Sequence, residues 1–239
     1  SGGACENGRK EEKELNALPV NNLIDPVYQF PGGRRSRELH ENPSGGRTER
    51  NMKREFRDML KERGREELPQ VLLVSAECAP LSKTGGLADV VGTLPKALKK
   101  LGVEARVITP YHRVIKDKYF GQTEHMFYFY TELGWRREYV GIEKLILDGV
   151  TIYLVDNERF FNDRIYRGDR AELEQYAFFT RAVLDAIPNL DFVPEVIHCN
   201  DWHTAMVPMI ARTQYRGCMQ EGLRYLLTIH NIAYQGKCG

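Results

Sequence analysis

The residues from 71 to 101 constrain the fold of this chain more than any other part of the sequence. They begin with Val71–Val74, an apolar and β-branched run of the length typical of a buried parallel strand. A loop closed by Gly85 and Gly86 follows, and apolar residues then recur at helical spacing as far as Leu101. Pro95 lies inside this pattern, and we expect it to break or kink the helix.

A strand, a glycine-containing loop and a helix in this order form an arrangement that can receive an anion. The free backbone N–H groups and the positive end of the helix dipole point toward the loop. Lys83 precedes Gly86 by three residues and adds a cation beside these donors. The loop is not a Walker A motif, because the lysine comes before the glycines, and it does not contain G-x-G-x-x-G.

The rest of the chain alternates between strand and helix patterns. Asp148 and Gly149 predict a tight hairpin between two of the strands. The alternation predicts a doubly wound α/β domain with ligands bound at the carboxyl ends of parallel strands. Predicted strands cover residues 103–109, 125–133, 138–147, 150–155, 196–199 and 224–229, and predicted helices cover 172–187 and 202–215.

The first 68 residues differ in composition from the rest of the chain. They hold 14 basic and 13 acidic residues and few large apolar ones, so we expect 1–50 to be largely disordered and 51–66 to form a solvated helix. The 34 basic and 33 acidic residues of the whole chain nearly cancel, and no apolar run is long enough for a membrane span. We therefore predict neither a nucleic-acid nor a membrane partner. The five cysteines form no C-x-x-C pair, which favours a reduced, cytoplasmic protein.

Three polar clusters follow three of the predicted strands. They are Lys83–Gly86, Asn200–His203 and His230-Asn231, and a doubly wound fold would bring them to one edge of the sheet. Asp201 is interpreted first as the N-cap of the helix that begins near residue 202, which does not exclude a role in ligand binding. Three histidines, at 198, 203 and 230, match no metal-site spacing, so we predict no metal site.

Three strings in these clusters carry a resemblance to a known family. The string Lys-Thr-Gly-Gly-Leu-Ala-Asp-Val begins at Lys83, Asp-Trp-His begins at Asp201, and Thr-Ile-His-Asn-Ile-Ala-Tyr-Gln-Gly begins at Thr228. Their order and separation resemble those of bacterial glycogen synthases and starch synthases, over about residues 70–237. The resemblance implies that residues 69–239 are the first of two Rossmann-like domains in a B-type glycosyltransferase fold, after a charged tail at 1–68.

The resemblance also implies an activity. Members of this family are retaining, metal-independent glucosyltransferases that move glucose from ADP-glucose to the non-reducing end of an α-1,4-glucan. ADP-glucose and the glucan are therefore the expected partners, and no cofactor is expected beyond the nucleotide sugar. Base recognition belongs mainly to the second domain, so the sequence leaves the choice between ADP-glucose and UDP-glucose open.

Site residues carry over from the family by matching position. Lys83 would contact the donor phosphates, and Gly86 would let the backbone approach the ligand. His230 would contact the transferred glucose, and Asn231 would orient it. Lys83 and His230 are the expected catalytic residues, and the full expected binding set is Lys83, Thr84, Gly85, Gly86, Asp89, Tyr166, Asp201, His230 and Asn231.

Two other functions remain open alongside this one. The chain could be a non-catalytic glucan-binding or regulatory module, with Trp135, Tyr139 or Tyr166 stacking on sugar rings. It could also be a nicotinamide-dependent oxidoreductase, although the missing glycine fingerprint and the strand end Thr109-Pro110 without an acid argue against this. The family's second domain supplies further donor-binding charges. We therefore expect the 239-residue polypeptide alone to be catalytically inactive.

Overall fold

A seven-stranded sheet with helices on both faces organises the part of the chain that the computed structural model describes, which is residue 58 and residues 68–237. The strands are β1 (Val71–Val74), β2 (Ala105–Pro110), β3 (Glu124–Leu133), β4 (Arg136–Leu147), β5 (Val150–Asp156), β6 (Val196–Asn200) and β7 (Arg224–Thr228). The helices are α1 (Gly86–Lys100), α2 (Arg113–Lys118), α3 (Glu158–Phe161), α4 (Asp169–Ala186), α5 (Met206–Gln214) and α6 (Met219–Gly222).

The strand order across the sheet is β3-β4-β5-β2-β1-β6-β7. Strands β5, β2, β1, β6 and β7 are parallel, while β4 is antiparallel to both β3 and β5. The chain adds β2 on one side of β1 and later adds β6 on its other side. This switch in strand order beside β1 is typical of a doubly wound sheet. The predicted fold class is therefore confirmed, with an antiparallel hairpin added at one edge.

Both faces of the central strands are covered, which explains why their sequences read as continuous apolar runs. All four residues of β1 are buried. One face packs against α4 and α5 around Phe178, Phe179 and Val207, and the other packs against α1 and α2 around Leu87 and Ile115. Cys78 and Cys199 are buried within these two layers, at 1% and 0% exposed.

Most predicted elements are present, and the differences have local causes. The Asp148-Gly149 turn joins β4 to β5 with positive φ angles of 50° and 74°, as the dipeptide predicts. Of the break or kink predicted at Pro95, the break is wrong, because α1 runs without interruption from Gly86 to Lys100. Pro95 is buried against the sheet, so tertiary packing offsets the hydrogen bond that its missing N–H cannot make. The predicted helix at 202–215 is a 3₁₀ turn over residues 202–204 followed by α5.

Two predictions about the first 68 residues concern positions that the structure does not describe. The disorder expected at 1–50 lies outside the described residues, and so does the helix expected at 51–66, apart from Asp58, which is helical. Among the residues that are described, no helix combines the length and the hydropathy that crossing a membrane would require.

Candidate functional site

The loops after β1, β6 and β7 lie side by side at one edge of the sheet. Val74, the last residue of β1, is paired with Cys199 of β6, and Asn200 at the end of β6 is paired with Thr228 at the end of β7. Because all three strands are parallel, their carboxyl ends meet. The three polar clusters predicted from the sequence therefore converge on this edge.

Asp201 joins the second cluster to the third. Its Oδ1 atom accepts hydrogen bonds from the backbone N–H groups of His230, at 2.7 Å, and of Asn231, at 3.4 Å. The prediction that Asp201 caps the helix after it is wrong, because its side chain makes no capping hydrogen bond. The carboxylate instead satisfies two backbone donors just beyond β7, and thereby fixes the path of the His-Asn segment.

The backbone of Asp201 has an unusual conformation. Its φ is 58° and its ψ is −178°, close to a region that is populated almost only by glycine. Its own N–H donates to the carbonyl of Thr228 at 2.8 Å, and the side chain is 7% exposed. Residues held in such regions concentrate at functional sites, where the surrounding structure stabilises the strained conformation.

Asn200 orients the ring of His230 through a hydrogen bond to one of its nitrogens. The side-chain Nδ2 of Asn200 donates to the carbonyls of Val74, at 3.2 Å, and His198, at 2.9 Å. Its Oδ1 therefore faces the ring, and it lies 2.9 Å from Nε2 of His230. Because an amide oxygen only accepts, Nε2 carries the hydrogen. Asn200 is fully buried, whereas His230 is only partly buried.

The loop after β1 presents a cation and a helix N-terminus. Lys83 Nζ lies 2.7 Å from Oδ1 of Asp89, and both side chains are about half exposed at 54%. Helix α1 begins at Gly86, and its N-cap, Gly85, has no side chain to satisfy the first-turn N–H groups. A Cβ on Gly86 would meet no protein atom within 4 Å. Neither backbone angle nor packing within the described residues requires a glycine at this position.

Glu77, which is not among the predicted site residues, holds this loop in place. It is 2% exposed, and its Oε2 accepts hydrogen bonds from the backbone N–H of Thr84, at 2.5 Å, and from the Thr84 hydroxyl, at 2.9 Å. Thr84 therefore serves the structure of the loop. Tyr166 lies beside the same pair: burial, and next the Glu77 charge, raise the pKa of its phenol, so Tyr166 is protonated at neutral pH.

Aromatic stacking connects Tyr166 to the second cluster. The Tyr166 ring stacks on His203 with centroids 4.9 Å apart, and His203 in turn lies 4.2 Å from the ring of Trp202. Gly236 crosses over that indole, where a Cβ would come within 2.4 Å of a ring carbon, so only glycine fits. The segment after β7 is thus packed onto the residues that follow β6.

The histidines of this edge do not form a metal centre. Burial lowers the pKa of His198 to about 4, and its Nε2 lies 2.8 Å from the Thr228 hydroxyl. Burial also lowers the pKa of His203 to about 3, so both rings are neutral at pH 7. Within the residues described, no three His, Cys, Asp or Glu side chains are grouped so that they could hold a metal ion.

The predicted site residues fall into two connected groups. Asp201, His230 and Asn231 form one, and the loop at 83–86 with Asp89 and Tyr166 forms the other. Asn200, through its bond to the Val74 carbonyl, connects the ends of β1 and β6. Glu77 was not predicted as a site residue, and Asn200 was named in the second cluster but given no role. The only sequence signal for either was a polar residue close after a buried strand, which does not identify its partner.

Comparisons with known proteins agree with this geometry. A family model described as the starch synthase catalytic domain matches residues 70–239. A glycogen synthase from Streptococcus uberis is 45% identical over 172 residues, which are 71% of this chain and 36% of that protein. A glycogen synthase from Streptococcus pneumoniae strain CGSP14 is 45% identical over 170 residues. The chain therefore spans little more than a third of these relatives.

A solved structure shares the fold. The catalytic domain of starch synthase IV from Arabidopsis thaliana, bound to ADP and acarbose, superposes with a TM-score of 0.64 at 26% identity. The match covers 71% of this chain and 35% of the plant chain. Because the family model covers the whole sheet and all three loops of the candidate site, this chain belongs to the starch synthase catalytic-domain family.

Proposed function

We propose that this chain supplies the first domain of a retaining glucosyltransferase that moves glucose from ADP-glucose to the non-reducing end of an α-1,4-glucan. Membership of the starch synthase family supports this, and so does a relative that is bound to ADP and acarbose. ADP-glucose and the glucan are the proposed partners. The reaction is proposed to need no metal ion and no cofactor beyond the nucleotide sugar.

One observation carries the proposal: the polar groups that follow β1, β6 and β7 lie at the same edge of the sheet. Asp201 fixes the His230-Asn231 backbone through two hydrogen bonds. On the other side, Lys83 and the uncapped N-terminus of α1 offer positive charge where the donor's phosphates would lie. Charge builds on the leaving diphosphate as the glucosyl bond breaks, so these groups would act most strongly in the transition state.

Gly86 fits this assignment. A Cβ at this position would meet no atom of the described protein within 4 Å, so a ligand would have room to approach the backbone here. The Lys83–Asp89 ion pair is half exposed, and such pairs contribute roughly 0–1 kcal/mol, so the lysine is free to turn toward a phosphate. Asp89 would then hold the lysine in reach when no donor is bound.

His230 would contact the transferred glucose. Its ring is held on one side by Asn200 and its backbone N–H by Asp201, so Nδ1 and the main-chain carbonyl would be the groups that contact sugar hydroxyls. Asn231 is exposed, and its Oδ1 accepts from the N–H of Ala233 at 3.0 Å, which leaves its amide NH₂ group for the ligand. Tyr166, protonated and partly buried beside Glu77, would line the same region.

We further propose that the 239-residue polypeptide, tested alone, transfers glucose far more slowly than its full-length relatives. It aligns with only 36% of the length of a relative such as the Streptococcus uberis glycogen synthase. In a two-domain glycosyltransferase the remainder closes the cleft and adds charges around the diphosphate. Losing one such preorganised contact costs about 10²–10³ in rate.

Two other functions receive less support. A nicotinamide-binding site would require a short glycine turn directly after β1, whereas here the loop spans residues 75–85. The end of β2, at Pro110, is followed by Tyr111 and His112 and offers no acid for a ribose. A glucan-binding module without catalysis would use the same glucan contacts but would not need Lys83 and the helix N-terminus.

A binding titration of the purified chain distinguishes these functions. Amide NMR signals would be followed during separate additions of ADP-glucose, maltoheptaose and NAD. We expect ADP-glucose to shift the signals of residues 83–86 and 230–231. Shifts caused by maltoheptaose but not by ADP-glucose would favour the binding module, and shifts at residues 83–86 caused by NAD alone would overturn the proposal.

A further inference from the structure

The loop after β1 has two halves that are held in different ways. In the first half, residues 75–82, backbone N–H groups bond to carbonyls of the loop itself and, from Ala79, to the carbonyl of Ala88 in α1 at 2.9 Å. The second half, residues 83–86, carries Lys83 and the start of α1, and we call it the exposed segment because all four of its residues are exposed. Burial in the core therefore does not fix the position of this segment.

Glu77 reaches the exposed segment from the first half of the loop. Its side chain is buried, and its Oε2 accepts hydrogen bonds from the Thr84 N–H at 2.5 Å and from the Thr84 hydroxyl at 2.9 Å. The ion pair of the segment, from Lys83 to Asp89, is half exposed, and such pairs stabilise only weakly. Within the described part of the chain, Glu77 is therefore the main anchor of the exposed segment.

The main chain of Glu77 is itself attached to the sheet. The Ser75 hydroxyl donates to the Glu77 carbonyl at 2.7 Å, and the same oxygen accepts from the Glu77 N–H at 3.4 Å. The N–H of Ser75 donates to the carbonyl of Ile108 in β2 at 3.2 Å. Hydrogen bonds through Glu77 and Ser75 therefore connect Thr84 to a central strand of the sheet.

Glu77 also lies beside the aromatic residues that connect this loop to the rest of the site. Burial, and next the charge of Glu77, raises the pKa of Tyr166, whose phenol is also in hydrogen-bonding contact with Glu77 and Thr84. The Tyr166 ring stacks on His203, and His203 lies against Trp202, over which the chain after β7 packs. One carboxylate therefore anchors the exposed segment and borders the stack that supports the third loop.

We propose that Glu77 is a positioning residue for the donor diphosphate, an inference that rests on the proposed function. It would not touch the donor. Through Thr84 it sets the place of Lys83 and of the free N–H groups at the start of α1, which are the groups proposed to face the phosphates. These groups bind one anion together only if they converge on it, so the segment that carries them has to be held before the donor arrives.

Loss of the anchor should lower the affinity for the donor. Without it, the exposed segment has to be ordered when the donor binds, and the conformational entropy lost at that point subtracts from the affinity. Two variants separate the hydrogen bonds of Glu77 from its size and its charge. Glu77→Gln keeps an acceptor oxygen at the same reach and removes the charge, whereas Glu77→Met keeps the length and removes the oxygen acceptors.

The test is an NMR titration of the 239-residue chain with ADP, in which the amide signals of residues 83–86 report binding. We expect wild type and Glu77→Gln to reach half-saturation at ADP concentrations within about threefold of each other, and Glu77→Met to need about tenfold more. Amide hydrogen exchange at Thr84 should be faster than in wild type for Glu77→Met and not for Glu77→Gln. Glu77→Asp keeps the charge but is one methylene shorter. It should also weaken ADP binding, and it supplies the comparison if Glu77→Met does not fold.

Asp185→Leu is the matched control. Asp185 also accepts hydrogen bonds from hydroxyl groups, those of Thr131 and Tyr215, and neither partner lies in the three loops of the site. Its replacement should lower the free energy of unfolding in urea and leave the ADP concentration at half-saturation unchanged. An equal loss of ADP affinity in this variant would assign the effect to general destabilisation and overturn the positioning role.

The outcomes separate the positioning role from the proposed function. Equal ADP affinity in wild type and in the folded methionine and aspartate variants would overturn the role of Glu77 and leave the donor site in place. If ADP does not shift the signals of residues 83–86 in wild type, the donor site at this loop is overturned, and the role of Glu77 with it. A glutamine variant that binds ADP as weakly as the methionine variant would assign the effect to charge and overturn positioning by hydrogen bonds.

Discussion

The carboxylate of Asp201 holds the backbone N–H of His230, with Oδ1 and N 2.7 Å apart. The two residues lie 29 positions apart in sequence and follow neighbouring parallel strands. Because β6 and β7 are adjacent, this contact can fix the position of His230, a candidate catalytic residue. Asp201 maintains it from a backbone conformation that few residues other than glycine adopt, so the chain accepts strain at this point.

The strain at Asp201 can be measured by comparing two variants that both remove the carboxylate. At φ 58° and ψ −178°, alanine keeps the steric conflict and glycine relieves it. We expect Asp201→Gly to unfold in urea with a free energy about 1 kcal/mol higher than Asp201→Ala, despite the greater chain entropy of glycine. An alanine variant as stable as the glycine variant would contradict a strained conformation.

The tautomer of His230 follows from the orientation of the Asn200 amide. Because Nδ2 of Asn200 donates to two carbonyls, its Oδ1 accepts, and neutral His230 should carry its hydrogen on Nε2. Long-range ¹⁵N–¹H NMR of the histidine rings at alkaline pH would detect this. Asn200→Ala should remove the preference and cost about 1–3 kcal/mol of stability, since it leaves buried carbonyls without a donor. A hydrogen on Nδ1 in the wild type would refute the assignment.

Lys83 should affect turnover more than glucan affinity. The variant would be tested in a chimera in which residues 70–239 replace the matching segment of the Streptococcus uberis glycogen synthase. We expect Lys83→Ala to lower kcat about 10²-fold, because the lysine would stabilise charge on the leaving diphosphate. The KM for glycogen should stay nearly constant. Lys100→Ala, at the far end of the helix that follows Lys83, is the matched control. Equal effects on kcat and KM would assign Lys83 a structural role.

Acidification should destabilise the chain partly through His203. Burial lowers the pKa of His203 in the folded chain to about 3, below its ordinary value near 6.5, so the unfolded chain binds more protons as the pH falls from about 6.5 toward 3. The stabilising contribution is present above pH 6.5 and is lost on acidification. His203→Phe should keep the stack with Tyr166 and lose this dependence. Between pH 7 and 5 its urea-unfolding free energy should fall less than that of wild type, by on the order of 1 kcal/mol; equal decreases would contradict the prediction.

The sheet was predictable because its signals are local. Runs such as Val71–Val74 are apolar throughout, since both faces of a central parallel strand are covered. The Asp148-Gly149 turn needs two positive φ angles, and few other dipeptides supply them so readily. The break predicted at Pro95 does not occur, because the burial of Pro95 within α1 stabilises the helix despite the missing N–H.

Most residues of the candidate site could be named from the sequence, but the hydrogen bonds that connect them could not. Asp201 precedes a helical turn, which made capping the local expectation, yet its partner is a backbone group 29 residues away. The partners of Glu77 and Asn200 are likewise set by the fold. Glu77 bonds Thr84, seven positions later, and Asn200 bonds the Val74 carbonyl, 126 positions earlier. A polar residue after a strand indicates an interaction, and only the three-dimensional arrangement identifies the partner.

Glucose transfer by the chimera tests the central claim most directly, that the edge held by Asp201 and Asn200 is half of a glucosyltransferase site. The measurement is incorporation of labelled glucose from ADP-glucose into glycogen, with UDP-glucose run in parallel, by the wild-type chimera and by its His230→Ala variant. We predict transfer from ADP-glucose by the wild-type chimera and a loss of about 10²–10³ in rate for the variant. A folded wild-type chimera without activity, or a His230→Ala variant as fast as wild type, would contradict the account.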